Sequence, residues 1–167
     1  VISFAGGLPA PELFPVEDMK RMANEVLDEV GTVALQYSSA QGFPKFRQQI
    51  ADRMNAKQKT NVAADDILVT SGSQQALEFS GKIFIDEGDV ILCESPTYLG
   101  ALNAFNGYGP KYIEVETDED GMNMEALKRV LQTTDRVKMI YVIPDFQNPT
   151  GRTWPIEKRK KFVELIT

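Results

Sequence analysis

Two short runs, "VILCES" at 90–95 and "VKMIYVIP" at 137–144, are apolar almost throughout. A strand with one wet face alternates polar and apolar side chains. A strand covered on both faces does not. The stretches around these runs carry helical spacing instead. "DILVTSGSQQALEFSGKIFIDEGD" reads as a short β-rich run ending at Thr70, a small-residue turn, and an amphipathic helix from near Gln74. A weak helix near Leu99 to Phe105, a strand in "KYIEVET", a helix in "NMEALKRVLQTT" and a last helix from about Ile156 complete the series. Strands alternating with helices predict crossover units. The fold class expected is therefore α/β, three-layer, with a mostly parallel sheet and helices on both faces.

An N-terminal arm precedes this pattern. Gly6, Gly7, Pro9, Pro11 and Pro15 prevent regular structure over residues 1–15. Met19, Met22, Ala23, Val26, Leu27 and Val30 then recur at helical spacing. Residues 31–44 read as loop, and Phe43 to Lys57 returns to helical spacing through Phe46, Ile50 and Met54. The expected division is an arm and helical segment over 1–57 and the first part of a large α/β domain over 58–167. The chain begins with Val and ends inside a helical pattern, so it is expected to be a piece of a longer protein.

Composition narrows the chemistry. Asp plus Glu number 24 against 18 Lys plus Arg, a formal charge of −6. That balance argues against nucleic acid as a partner, because duplex binding relies on neutralising phosphates with cations. No apolar run approaches the ~20 residues of a membrane helix, so no membrane partner is expected. There is no histidine, which removes Ser-His-Asp and Cys-His catalysis and histidine metal sites from this chain. The single Cys93 lies in an apolar run and reads as a small buried hydrophobe, with a reducing cytoplasm as the expected location.

In open α/β sheets, ligands gather beyond the carboxyl ends of strands. Three such ends here carry unusual residues. In "VTSGSQQAL", Ser71, Gly72 and Ser73 expose backbone N–H groups at a helix N-terminus, and the serine hydroxyls and the Gln74 amide add donors, which suits a phosphate; the ordinary alternative is a serine N-cap. In "ESPTYLG", Tyr98 can lay its ring on a flat ligand, or can be a core aromatic at a loop. In "IPDFQNPTG", Asn148 precedes Pro149, which biases its backbone to extended geometry and aims its amide; the alternative is a plain turn. One explanation covers all three: a flat, phosphorylated aromatic cofactor lying across the sheet edge.

The same residues carry a resemblance. In order along the chain, "FAGGLPAPELFP", "LQYSSAQGFPKFRQQIA", "ILVTSGSQQAL", "CESPTYLG", "DEDGMNMEAL" and "YVIPDFQNPTG" resemble the pyridoxal-phosphate aminotransferases of fold type I, class I/II. The arm is most similar to the aminoadipate and aromatic aminotransferase subgroup. It is also similar to the aminotransferase-like half of a bacterial regulator family. The resemblance implies pyridoxal 5'-phosphate as cofactor, an amino acid and a 2-oxo acid as substrates, and a homodimer with shared sites. It implies that Gly72, Ser73 and Gln74 bind the phosphate, Tyr98 stacks on the pyridine, and Asn148 donates to the 3-hydroxyl and helps place the substrate carboxylate. It matches Gly7 to an arm glycine that closes over substrate, and Tyr37 to a tyrosine reaching the neighbouring subunit's phosphate. Arg152 is expected to be a surface or structural cation rather than a carboxylate clamp. No catalytic residue is carried over. The lysine that forms the family's Schiff base belongs past the asparagine loop, and Lys82, Lys111 and Lys138 lie outside its context. Two other outcomes share this fold: an effector-binding domain of a transcription regulator, and a carbon–sulfur lyase.

Overall fold

The computed structural model describes residues 7–167; the first six residues of the expected arm lie outside it. The chain divides into two compact units between Val69 and Thr70.

In the first unit, Gly7 to Ala10 have no regular structure and a 3-10 turn follows at Pro11–Leu13. Helix α1 (Val16–Ala34) runs longer than its apolar spacing predicts. Its backbone leaves helical geometry at Val30, where the spacing ends, and one further turn follows. No residue of α1 is buried, and Met19, Met22, Val26, Leu27, Val30 and Val33 stay exposed along it. Helix α2 (Pro44–Gln58) starts with the proline at a position where its missing N–H costs nothing. It buries Ala51 and Arg47, whose guanidinium donates to the Ala64 carbonyl at 2.9 Å and to Asp65 at 3.3 Å. The β-rich run at 67–70 forms no ladder among the described residues. Strand structure needs a hydrogen-bonded neighbour, which a β-rich composition does not supply.

The second unit opens with helix α3 (Ser73–Phe84), then strand β1 (Val90–Glu94), helix α4 (Leu99–Asn106) and strand β2 (Lys111–Val115). A two-residue hairpin, β3 (Thr117–Asp118) and β4 (Gly121–Met122), leads into helix α5 (Met124–Thr133). Strand β5 (Val137–Tyr141) and helix α6 (Ile156–Ile166) complete it. The sheet order is β2-β1-β5, with both pairings parallel. Every residue of the central strand β1 is buried.

Side chains alternate across β1, and the two faces fill two separate cores. Val90 and Leu92 pack with Met122, Leu127 and Trp154, beneath α5 and the partly buried Phe162 of α6. Ile91 packs with Ile85, Ala101, Ala104 and Phe105, beneath α3 and α4. This is the three-layer, parallel-sheet arrangement that the apolar runs predict. Asn123 starts α5 by accepting the Ala126 N–H at 2.8 Å, a cap worth about 1 kcal/mol. Cys93 is 2% exposed, and burial, with Glu114 and Glu94 adding to it, pushes its thiol up to about 11.

Candidate functional site

Three chain segments of the second unit meet beyond the carboxyl end of β1. The first is the start of α3. Its N-cap is Gly72, at φ 80° and ψ 173°, and no side chain caps the helix. Ser73 is the first helical residue, which excludes the serine N-cap alternative. Ser71 N–H is taken by Gln75 Oε1 at 2.6 Å, so it is Ser73 and Gln74 that present exposed N–H donors in the first turn. Such a terminus carries about half a positive charge and accepts an anion. Space in front of Gly72 is open, with nothing within 4 Å of where a Cβ would sit.

The second segment is the link from β1 to α4. Tyr98 is half-buried at the N-cap of α4 and packs against the core of Ile91 and Phe105. Its ring covers Gly100 so closely that a Cβ there would overlap it. Gln74 reaches the same glycine, donating from Nε2 to the Gly100 carbonyl at 3.1 Å. That bond joins the first turn of α3 to the first turn of α4. The Thr97 hydroxyl, next to Tyr98, is buried without a hydrogen-bond partner among the described residues.

The third segment is the loop after β5. Asn148 is exposed, and its peptide bond to Pro149 is cis. The preceding Gln147 is 3% exposed and turns inward. Its Nε2 donates to the Pro96 carbonyl at 2.8 Å. Its Oε1 accepts from the Thr150 N–H at 2.9 Å and from the Thr150 hydroxyl at 2.6 Å. Arg152 is half-buried and donates to Thr117 Oγ1 at 3.2 Å.

Two buried residues that sequence reasoning missed organise this edge. Gln147 ties the asparagine loop to the tyrosine link. Glu94, the last residue of β1, is 1% exposed and accepts from Trp154 Nε1 at 3.0 Å and from the Ile143 N–H at 3.2 Å. Burial raises its carboxyl above the ordinary range, against the opposing pull of the N–H groups of Ile143, Trp154 and Gln147. A polar residue closing an apolar strand reads in sequence as the point where the chain returns to solvent. The one available signal was Trp154, a donor-bearing side chain that needs a partner when buried.

Gly72, Ser73, Gln74, Tyr98 and Asn148 thus stand on segments joined by the side chains of Gln74 and Gln147. Gly7 and Tyr37 belong to the first unit, where Gly7 is exposed and Tyr37 is wholly exposed. Lys111 opens β2 and Lys138 is the second residue of β5, so both sit at the opposite, amino edge of the sheet. No cluster of three or more acidic or cysteine side chains able to hold a metal occurs among the described residues. No described helix is long and apolar enough to cross a membrane.

Comparison with known proteins matches this geometry to a family. The model for aminotransferase class I and II matches residues 5–167. An aromatic-amino-acid aminotransferase of Thermococcus litoralis is 45% identical over all of this chain and 41% of its own length. A 2-aminoadipate transaminase of Thermus thermophilus is 43% identical over 99% of this chain and 40% of its own. The chain therefore spans about two fifths of the curated relatives it matches. The crystal structure of LysN, an α-aminoadipate aminotransferase of Thermus thermophilus complexed with N-(5'-phosphopyridoxyl)-L-leucine, superposes with a TM-score of 0.89. It is 44% identical and covers 98% of this chain, which covers 40% of it. An uncapped helix start, a tyrosine link and an asparagine loop on one edge of a parallel sheet, in a chain matched from its arm to its last residue, place it in the aminotransferase class I and II family.

Proposed function

We propose that the protein to which this chain belongs is a pyridoxal 5'-phosphate-dependent aminotransferase, moving an amino group between an amino acid and a 2-oxo acid. The observation that carries the reading is the junction of three segments by Gln74 and Gln147, which brings the α3 terminus, Tyr98 and Asn148 to one sheet edge.

The residues present fit such a cofactor. The first turn of α3 has unclaimed N–H donors, no capping side chain and open space before Gly72, which suits a dianionic phosphate. The half-buried Tyr98 offers a ring, Asn148 an exposed amide, and the orphaned Thr97 hydroxyl a hydrogen bond still to be made. When bound, pyridoxal phosphate supplies an electron sink that eases loss of the α-proton of an amino acid. The work of this chain is to bind and orient. Ser73 and Gln74 anchor the phosphate through their N–H groups, and Gly72, whose own N–H is held by the Thr70 carbonyl, leaves it room to approach. Tyr98 fixes the plane of the ring, and Asn148 donates to the 3-hydroxyl and to the substrate carboxylate. Gly7 closes the arm over substrate. The lysine that bonds the cofactor is expected from the part of the family's length that this chain does not span. Lys111 and Lys138 sit at the amino edge of the sheet, and Lys82 lies in the last turn of α3, away from the turn that holds the phosphate.

The site is shared in a homodimer, with Tyr37 reaching the partner's phosphate. The full exposure of Tyr37 and the apolar stripe left open along α1 support this reading. The location proposed is the cytoplasm.

The test is product analysis with the full-length protein, saturating cofactor, a 2-oxo acid acceptor, and aromatic amino acids or 2-aminoadipate as first donors. The donor's oxo acid is the expected product. Release of thiol and ammonia from a sulfur-containing donor, with no requirement for the 2-oxo acid acceptor, points to lyase chemistry, and no turnover of either kind counts against an enzyme.

A further inference from the structure

We propose that Glu94 is a positioning residue, whose buried carboxylate holds both ends of the loop 143–154 and so sets where Asn148 stands relative to Tyr98. The inference rests on the cofactor-binding reading above. One oxygen of Glu94 accepts from the Ile143 N–H, where the loop leaves β5. The other accepts from the indole of Trp154, where the loop ends. Trp154 is itself fixed. It is 2% exposed, lies edge-on to Phe162 with ring centres 5.4 Å apart, and leaves no room for a Cβ at Gly121. Within the loop, the Trp154 N–H donates to the Pro144 carbonyl at 2.8 Å and the Gln147 N–H to the Arg152 carbonyl at 2.8 Å. Arg159 closes it from α6, donating to the Pro144 and Trp154 carbonyls and pairing with Asp145. The loop is internally braced, and Glu94 is what fastens it to the central strand. Gln147 then carries the register onward to Pro96, two residues before Tyr98. Two bonds to one carboxylate fix an orientation that a single bond leaves free to pivot.

Glu94→Gln tests this with the shape retained. An amide has a single acceptor oxygen, so one of the two N–H groups loses its partner and meets an NH2 group instead. Amide hydrogen exchange in the full-length protein reads the loop without reference to cofactor. The expectation is exchange at Ile143, Gln147 and Thr150 faster by about tenfold or more, with α4 amides unchanged. Cofactor affinity, titrated by absorbance, reads the consequence: a loss of about tenfold in Glu94→Gln that disappears when Asn148→Ala is already present. That cycle separates positioning from general loosening. Unchanged loop exchange overturns the role of Glu94. An affinity loss of equal size with and without Asn148 also overturns it, since the effect then bypasses that residue. Faster loop exchange with affinity untouched by Glu94→Gln and Asn148→Ala alike overturns the cofactor reading, and the inference with it.

Discussion

Gly72 sits where φ 80° and ψ 173° combine, a region almost closed to residues with a Cβ. The space around it is open, so a methyl group there would strain the backbone and touch nothing. Gly72→Ala is therefore expected to lower stability in urea by about 1–3 kcal/mol, or to relax by turning the first peptide of α3. Relaxation re-aims the Ser73 N–H and weakens cofactor binding, measurable by fluorescence titration, whereas the strained form loses stability and keeps its affinity. Unchanged stability together with unchanged affinity would show that the glycine's conformation is dispensable. Ser73, Gln74, Tyr98 and Asn148 were legible because each stands next to a local marker: a small-residue turn, a proline, the end of an apolar run. Glu94 and Gln147 were not. Their burial depends on partners 60 and 51 residues away along the chain, and no local pattern encodes those.

Elements were legible to the extent that their cause is local. Apolar spacing located α1, α2, α5 and α6, and unbroken apolar runs located β1 and β5. The run at 67–70 has the same local character and makes no ladder among the described residues, since pairing is settled by what lies alongside. The β3–β4 hairpin escaped for the opposite reason: "TDEDGM" is too short and too polar to show a period, and its turn is set by Gly121 at φ 114°. That hairpin matters beyond its length, because the Gly121 backbone is the wall against which the Trp154 indole rests. Gly121→Ala is expected to push Trp154 off its site and cost about 1–3 kcal/mol by overpacking. Trp154 is the sole tryptophan of these 167 residues, so in this chain a red-shifted emission reports the displacement directly. An unshifted spectrum in a destabilised variant would place the strain in the turn instead.

At the scale of the molecule, the proposed sharing of sites between subunits has a quantitative signature. Tyr37→Ala damages the site to which one subunit lends its tyrosine, and Asn148→Ala damages the site built on its own sheet. In a hybrid dimer of the two variants both lesions fall in one site, leaving the other intact. Random reassociation of equal amounts should restore about a quarter of parental activity from two inactive parents. Recovery of none would place Tyr37 in its own subunit's site or outside any site. The pairing of distant residues also fixes an order of events. Helices α3 to α6 and the braces within the asparagine loop join near neighbours in sequence and can form early. The bonds from Glu94 span 49 and 60 residues, and they close only once β5 has docked beside β1. The edge that carries Tyr98 and Asn148 is therefore braced only after β5 has docked, so forms that precede docking hold the asparagine loop folded on itself but unfastened from the sheet.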